Sequence, residues 1–172
     1  LTLARRGVYR MGALNLNMVV NEYLGSPPFA ELRRAYPRVS VEFDLASDLP
    51  NLLGSPVHLS KVLMNLVTNG FEAMPEGGAL AIRTCLARVE QPLAGYELVE
   101  PGEYVLLEVE DTGTGIEADD VGRIFEPIYT KKQLGRSGSG LGLAVVYGVA
   151  HDHKARIDLQ TQVGAGSTFR LY

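Results

Sequence analysis

Asn65, Asn69 and Glu72 stand four and three residues apart, a spacing that makes them neighbours on one helical surface. They lie in the stretch His58–Met74, which reads as a helix turning about 100° per residue. On such a helix Leu59, Leu63, Leu66, Val67, Gly70, Ala73 and Met74 share one broad face, and His58 joins the three polar residues on another. The apolar face packs on a core, and two carboxamides and a carboxylate stand up on the far side. Carbonyl and carboxylate oxygens suit a hard cation such as Mg²⁺, which keeps several waters and shares its other positions with phosphates. A solvated helix face carries the same pattern, so residues further along the chain must decide between the two.

Two glycine-rich stretches lie downstream. Asp111-Thr-Gly113-Thr-Gly115 comes directly after the alternating run Tyr104–Glu110. Glycine there permits positive φ and lets a ligand approach the backbone. The Asp111 carboxylate can accept a hydrogen bond from an exocyclic amino group. Adenine offers one at its Watson–Crick edge, where guanine presents an oxygen; a plain Asp-Gly turn uses the same residues. The stretch also matches Gly113-x-Gly115-x-x-Ala118, but a dinucleotide site needs a βαβ unit and an acidic residue roughly 20 positions on. Lys131–Gly135 is neither strand-like nor acidic, which excludes that reading, and the absence of a Gly-Lys-Ser/Thr triplet excludes a P-loop. Gly138-Ser139-Gly140-Leu141-Gly142-Leu143 runs into a helical segment. Backbone N–H groups at a helix start bind phosphate, and Lys131, Lys132 and Arg136 bring positive charge just upstream. The expectation is that residues 128–140 form a lid that orders around phosphates, with a nonspecific surface loop as the alternative.

These residues need a frame. The 172 residues fit one domain, and 46% hydrophobic with 21% charged residues is an ordinary globular balance. The net charge of −4 gives no global basic field for nucleic acid. A single cysteine, Cys85, allows neither an internal disulfide nor a cysteine metal cluster. No apolar run reaches the length of a membrane span and no signal peptide is visible, so a cytoplasmic module without direct membrane contact is expected. Leu1 is not a methionine, which reads as a piece of a longer protein. Residues 1–14 read as the end of a preceding element or linker and 15–172 as the domain itself. Leu16–Tyr36 is helical in pattern, interrupted at Gly25-Ser-Pro-Pro28 into two helices or a kinked one. Val39–Leu45 alternates as a half-buried strand, and Leu49–Ser55 reads as a loop. Ser55 is placed to cap the central helix, with Pro56 in its first turn. Pro75–Gly78 makes a turn before a strand over Ala79–Leu86. Gln91–Gly102 reads as a polar connection, Tyr104–Glu110 as a strand, Glu117–Phe125 as a short helix and Leu141–Ala150 as a buried helix. Ala155–Thr161 and Ser167–Leu171 make a closing hairpin. Strands interleaved with helices imply an α/β (α+β) two-layer sandwich with a mixed, mainly antiparallel sheet covered on one face by helices.

Taken in order, Asn65-x-x-x-Asn69, Asp111-x-Gly-x-Gly115, Phe125-Glu-Pro-Ile-Tyr-Thr-Lys-Lys132, Gly138-x-Gly-Leu-Gly-Leu143 and Gly164-x-Gly-Ser-Thr-Phe169 form a set. The set resembles the catalytic and ATP-binding domain of sensor histidine kinases, which shares the Bergerat ATP-binding fold with DNA gyrase B, Hsp90 and MutL. The resemblance covers nearly the whole chain from about Leu16. It implies that Asn69 binds Mg²⁺ with help from Asn65, and that Glu72 lies at the helix surface beside them. Asp111 would read adenine, with Gly113, Gly115 and Ile116 forming its loop. Phe125, Tyr129, Thr130 and Lys132 would form the F box, with Lys132 on the phosphates. Gly138, Ser139, Gly140, Leu141, Gly142 and Leu143 would close over the triphosphate, and Thr168 would join the adenine-side water network. Asn65 and Lys132 are the residues expected to take part in catalysis. The chain departs from the family pattern at Gly70, where alanine is usual, at Ile128, where an aromatic is common, and at Lys154, where glycine is frequent.

The resemblance implies that ATP and Mg²⁺ are the cofactors and that the γ-phosphoryl goes to a histidine. The expected partners are a dimerisation and phosphoacceptor domain of the same protein and a response-regulator receiver domain, with a homodimeric full-length protein. Of the three histidines, His58, His151 and His153, none is a credible acceptor; His151-Asp-His-Lys154 lacks the usual proline, and both its histidines read as surface residues. The competing reading is an ATPase of the gyrase, Hsp90 and MutL kind, in which nucleotide drives dimerisation. Those relatives carry a glutamate base four residues before the Mg²⁺ asparagine, where this chain has Asn65. A degenerate interaction domain would not need the glycines or Asp111.

Overall fold

A computed structural model describes residues 10–127 and 141–172. Alternating apolar positions build a five-stranded sheet. In chain order its strands are β2 (Val39–Leu45), β4 (Gly78–Val89), β7 (Gly102–Asp111), β8 (Ile157–Gln162) and β9 (Gly166–Leu171). They lie side by side as β2-β4-β7-β9-β8, antiparallel except for the parallel β2–β4 pair. Helices α1 (Leu16–Leu24), α2 (Pro27–Ala35), α3 (Pro56–Glu72), α4 (Ala118–Val121) and α5 (Gly142–Asp152) account for the helical residues. The interruption at Gly25 separates two helices: Pro27 and Pro28 open α2, where a missing N–H costs nothing. Helix α3 lies against β4 and β7 and is flanked by α1 and α5. Leu63, Leu66, Val67 and Phe71 of α3 are essentially inaccessible and share one core with Leu80, Ile82, Leu107, Val109, Ile157 and Phe169 of the sheet. The expected two-layer sandwich is what the chain adopts.

The other face of the sheet carries charge. Arg83 donates to Glu108 at 2.7 Å and also to Glu110. Arg170 bridges Glu108 at 2.6 Å and Asp158 at 3.4 Å. Burial opposes ionisation of Glu108, but the hydrogen bonds from Arg83 and Arg170 win and hold its carboxyl below the ordinary value.

Short elements depart from the sequence reading. Within the expected loop 49–55, β3 (Leu52–Gly54) pairs with β1 (Gly12–Leu14), and Gly12 faces Gly54. Three-residue strands are too short for a period-two signal, and their pairing is long-range. The polar connection 91–102 contains the hairpin β5 (Leu93–Ala94) and β6 (Leu98–Val99). Between these two strands Glu97 folds over the edge strand β8. Its N–H donates to Ile157 O at 3.1 Å, and its carboxylate accepts the Ile157 N–H at 2.7 Å. Backbone groups that an edge strand would leave unpaired are thereby satisfied.

One histidine is misread from sequence, and a second is more buried than its polar helix face suggests. His58 is buried, at 9% exposed, because the first turn of α3 lies under the end of α5. Burial, with Lys61 and His153 nearby, lowers its pKa, against an opposing pull from Asp152. His153 is no surface residue either: its Nε2 accepts the Ser55 N–H at 2.9 Å while its Nδ1 meets Val149 O at 2.8 Å. Ser55 holds the N-cap position of α3 but makes no side-chain cap bond, so the histidine fixes this junction instead. His151 is exposed, stacks on Tyr147 with ring centres 4.2 Å apart and meets Glu97 at 2.9 Å. Helix α5 buries only Val146, Val149 and Ala150 and exposes Leu141 and Val145 at its start, since a nearly all-apolar segment hides which face is inward. Lys154, where glycine was expected, has φ +57°, the left-handed region that glycine adopts without penalty.

Candidate functional site

Three elements bring the predicted residues to one end of the sandwich. On α3, Asn65 and Asn69 are half-buried one turn apart. Asn65 turns its Nδ2 back to Lys61 O at 2.8 Å, which leaves Oδ1 on the outer side. A side chain at Gly142 would meet that oxygen at 2.8 Å, so α5 begins directly against Asn65. The start of α5 and the Asn65 carboxamide of α3 are thus direct neighbours. Glu72 is half-buried at the last turn of α3.

Gly70 joins this helix to the second element. Its missing side chain is filled by Leu80 Cδ1, and a β-carbon there would lie 3.5 Å from Asp111 Cβ. The departure from alanine is therefore steric: Leu80, fully buried, occupies the space. Asp111 ends β7 at 7% exposure and accepts the Gly113 N–H at 2.9 Å. Burial raises its pKa, and backbone hydrogen bonds from Gly113 and Ser167 offset part of the rise.

The loop after Asp111 is clamped on both sides. Gly113 packs on Ala73, with a notional β-carbon only 2.6 Å from Ala73 Cβ, and the Thr114 N–H donates to Ala73 O at 3.1 Å. The small size of Gly113 also lets the loop close on α3. On the other side the Gly164 N–H donates to Thr114 O at 2.8 Å, and the Ile116 N–H donates to Thr161 Oγ1 at 2.9 Å. Gly115, at φ +70°, would drive a side chain into Gln162 O. Gly166, at φ +105°, would drive one into Asp111 O.

Other predicted residues fall elsewhere. Phe125 is 7% exposed and lies among Tyr96, Tyr147 and Phe169, with ring centres 4.9, 5.7 and 6.4 Å away. It anchors the segment after α4 in the core rather than lining an open cleft. Ile116 and Leu143 are half-buried against the same core, and Leu141 is exposed. Thr168 is misplaced by the sequence reading. It pairs with Glu110, whereas Ser167 pairs with Asp111; alternate residues face opposite sides, so Thr168 lies on the charged face and Ser167 on the side of Asp111. The signal was present, since Phe169 and Leu171 are the core positions of that strand and Ser167 shares their period. Thr161, in register with Ser167, was missed as well. Tyr129, Thr130, Lys132, Gly138, Ser139 and Gly140, with the expected lid, lie outside the described residues.

Residues 54–172 match the family model for histidine kinase-, DNA gyrase B- and HSP90-like ATPases. The chain belongs to that family, whose domain binds ATP. Among curated proteins, the sensor kinase CckA of Brucella abortus is 34% identical over all of this chain and 18% of the relative's length. The sensor histidine kinase ZraS of Escherichia coli K12 is 31% identical over 93% of this chain and 30% of its own length. The chain thus spans less than a third of these relatives. Among solved structures, the mycobacterial sensor histidine kinase MprB superposes with a TM-score of 0.69 at 20% identity, covering 94% of this chain and 95% of that one. The nucleotide-free catalytic domain of the histidine kinase ThkA gives 0.70 at 24%, covering 94% and 93%. These two likenesses establish the fold.

Gly70→Ala gains about 1 kcal/mol of helix propensity but overpacks Leu80, at a cost of about 1–3 kcal/mol. The expected outcome in urea unfolding is a net loss of stability in the natural background and a gain once Leu80→Val has made room. A single Gly70→Ala variant more stable than the parent would contradict the packing argument.

Proposed function

We propose that this chain is the ATP-binding catalytic domain of a sensor histidine kinase, which passes the γ-phosphoryl of Mg²⁺–ATP to a histidine on a separate dimerisation domain for relay to a response-regulator receiver domain. The observation that carries this reading is Asn65, a carboxamide where hydrolysing relatives hold a carboxylate base. The sensor kinases among the relatives favour the same choice over a gyrase-like ATPase. A homodimeric whole protein with this module in the cytoplasm fits the reading. No helix among the described residues is long and apolar enough to cross a membrane. The net charge of −4 gives no reason to propose nucleic acid as a partner.

The described residues offer chemistry suited to both ends of a nucleotide. Asp111, buried at the end of β7, accepts the adenine amino group, and the clamped loop sets the slot beside it. At the other end, Asn69 and Asn65 offer carboxamide oxygens next to the start of α5, and no cluster of acidic or histidine ligands stands among the described residues. Such a donor set suits Mg²⁺ that completes its shell with phosphate and water. Bound there, Mg²⁺ would supply neutralisation of the phosphate charge. The N–H groups at the start of α5 hold phosphate oxygens, and Lys132 adds charge from the preceding segment. Positioning and charge neutralisation carry most of phosphoryl transfer. Asn65 orients but takes no proton, which leaves water unactivated and favours an external histidine.

Burial raises the pKa of Asp111. Such a carboxyl costs stability when ionised, and the cost is relieved as pH falls through the folded pKa. Acidification through that window therefore does not weaken the fold through Asp111, yet it removes the acceptor for the adenine amino group. Adenosine, which has no titrating phosphate, should bind less well on acidification beginning above the usual carboxylate value of about 4. Asp111→Asn should abolish that dependence. An adenosine affinity that stays flat into the ordinary carboxylate range would count against the assignment.

General-base assistance is worth about 10²–10⁴ in rate, and the position that supplies it in ATPase relatives is Asn65. With radiolabelled ATP, the chain alone should release phosphate very slowly and take no stable label. Adding a dimerisation domain that bears a phosphoacceptor histidine should give weak transfer, because an unlinked domain lacks effective concentration. Brisk phosphate release, or stable label on His151 or His153, would overturn the kinase reading.

A further inference from the structure

The clamp on the Asp111 loop contains one side chain that the nucleotide contacts leave without a role. Thr161 lies on β8, in register with Ser167, which in turn pairs with Asp111. The three residues thus form one row across the end of the sheet, on the face toward α3. The Thr161 hydroxyl accepts the Ile116 N–H at 2.9 Å, and its contacts with Ser167 Oγ and Gly166 O measure 2.9 and 3.2 Å. Ile116 closes the loop that begins at Asp111, and Ser167 is the hydroxyl residue beside Asp111.

We propose that Thr161 is a positioning residue for recognition of the nucleotide base, acting through Ile116 and Ser167 without touching the nucleotide. The inference rests on the adenine-reading role of Asp111. A hydroxyl has one proton and two lone pairs. One lone pair of Thr161 takes the Ile116 N–H, which fixes the distance between the loop and the β8–β9 turn. The remaining proton and lone pair engage Gly166 O and Ser167 Oγ. When Thr161 donates to Ser167, the Ser167 proton is left to point away from Thr161, toward the side of the sheet that holds Asp111. When Thr161 donates to Gly166 O, the Ser167 proton is drawn back to Thr161. Thr161 therefore governs both the shape of the slot and the polarity of its second hydroxyl. The carboxamides at the phosphate end are on a different element, α3, where Asn65 bonds back to Lys61 O at 2.8 Å.

Thr161→Val keeps the shape but removes the hydroxyl and strands the Ile116 N–H, whereas Thr161→Ser keeps the hydroxyl. Binding of Mg²⁺–ATP, Mg²⁺–GTP and Mg²⁺–triphosphate is measured by calorimetry on the whole chain and both variants. Thr161→Val should bind ATP about tenfold more weakly, the scale of one lost hydrogen bond. Its triphosphate affinity should be unchanged and its preference for ATP over GTP reduced. Thr161→Ser should stay close to the parent. A Thr161→Val variant that weakens ATP and triphosphate equally, or binds ATP like the parent, overturns the proposal, as does failure of Thr161→Ser to rescue. If Thr161→Val does not fold, Thr161→Ala removes the same hydroxyl and is judged by the same criteria. A parent chain without any preference for ATP over GTP would instead strike at Asp111, and the ATP affinities of the Val and Ser variants would still decide on Thr161.

Discussion

The site depends on three backbone segments passing too close for side chains between them. The end of α3, the loop after Asp111 and the β8–β9 turn meet through the Thr114–Ala73 and Gly164–Thr114 hydrogen bonds, of 3.1 and 2.8 Å. At Gly115 and Gly166 positive φ and a lack of space act together, so any other residue would be strained and would also collide with a carbonyl oxygen. Asp111 is held in this junction as a buried carboxylate. Its ionisation is disfavoured by burial and is partly restored by two backbone N–H groups. A carboxyl whose desolvation the fold has already imposed gains from any further hydrogen-bond donor that reaches it.

The same helix that closes this junction carries the opposite end of the site. Because α3 runs from the His153 staple at Ser55 to the Ala73 contact with Gly113, the carboxamides of Asn65 and Asn69 are set at fixed offsets from Asp111. The aromatic set around Phe125 ties the segment after α4 to the hairpin β5–β6, to α5 and to β9. Both ends of the proposed site are thus tied to one core, and their chemistry differs: a buried carboxyl at Asp111, and neutral carboxamide oxygens at Asn65 and Asn69.

Much of this was legible in residue order. Long periodic segments identified α3, β2, β7 and the closing hairpin, since burial of one face imposes the pattern. Glycines 113 and 115 pointed to special backbone and close approach, and Lys154 marked an unusual turn, because backbone constraints show in residue type; that Gly166 joins them in a clamp was not read. Three kinds of feature were not legible. Strands of two or three residues, such as β1 and β3, carry no period. The histidines at 58 and 153 look like surface residues until long-range packing places the end of α5 over the start of α3. The choice between Ser167 and Thr168 needed the strand's parity to be counted from Phe169. A motif supplies the neighbourhood of a functional hydroxyl, whereas the sheet's alternation decides which of two adjacent hydroxyls faces the site.

In the proposed reading one junction presents two separable ends, a base end at Asp111 and a phosphate end at Asn65 and Asn69. Amide chemical-shift mapping of the whole chain, with adenosine alone and with Mg²⁺–triphosphate alone, tests it most directly. Adenosine should shift Gly113, Ile116 and Ser167 while leaving Asn65 and Gly142 in place, and Mg²⁺–triphosphate should do the reverse. Adenosine shifts at the start of α5 with none around Asp111 would contradict it.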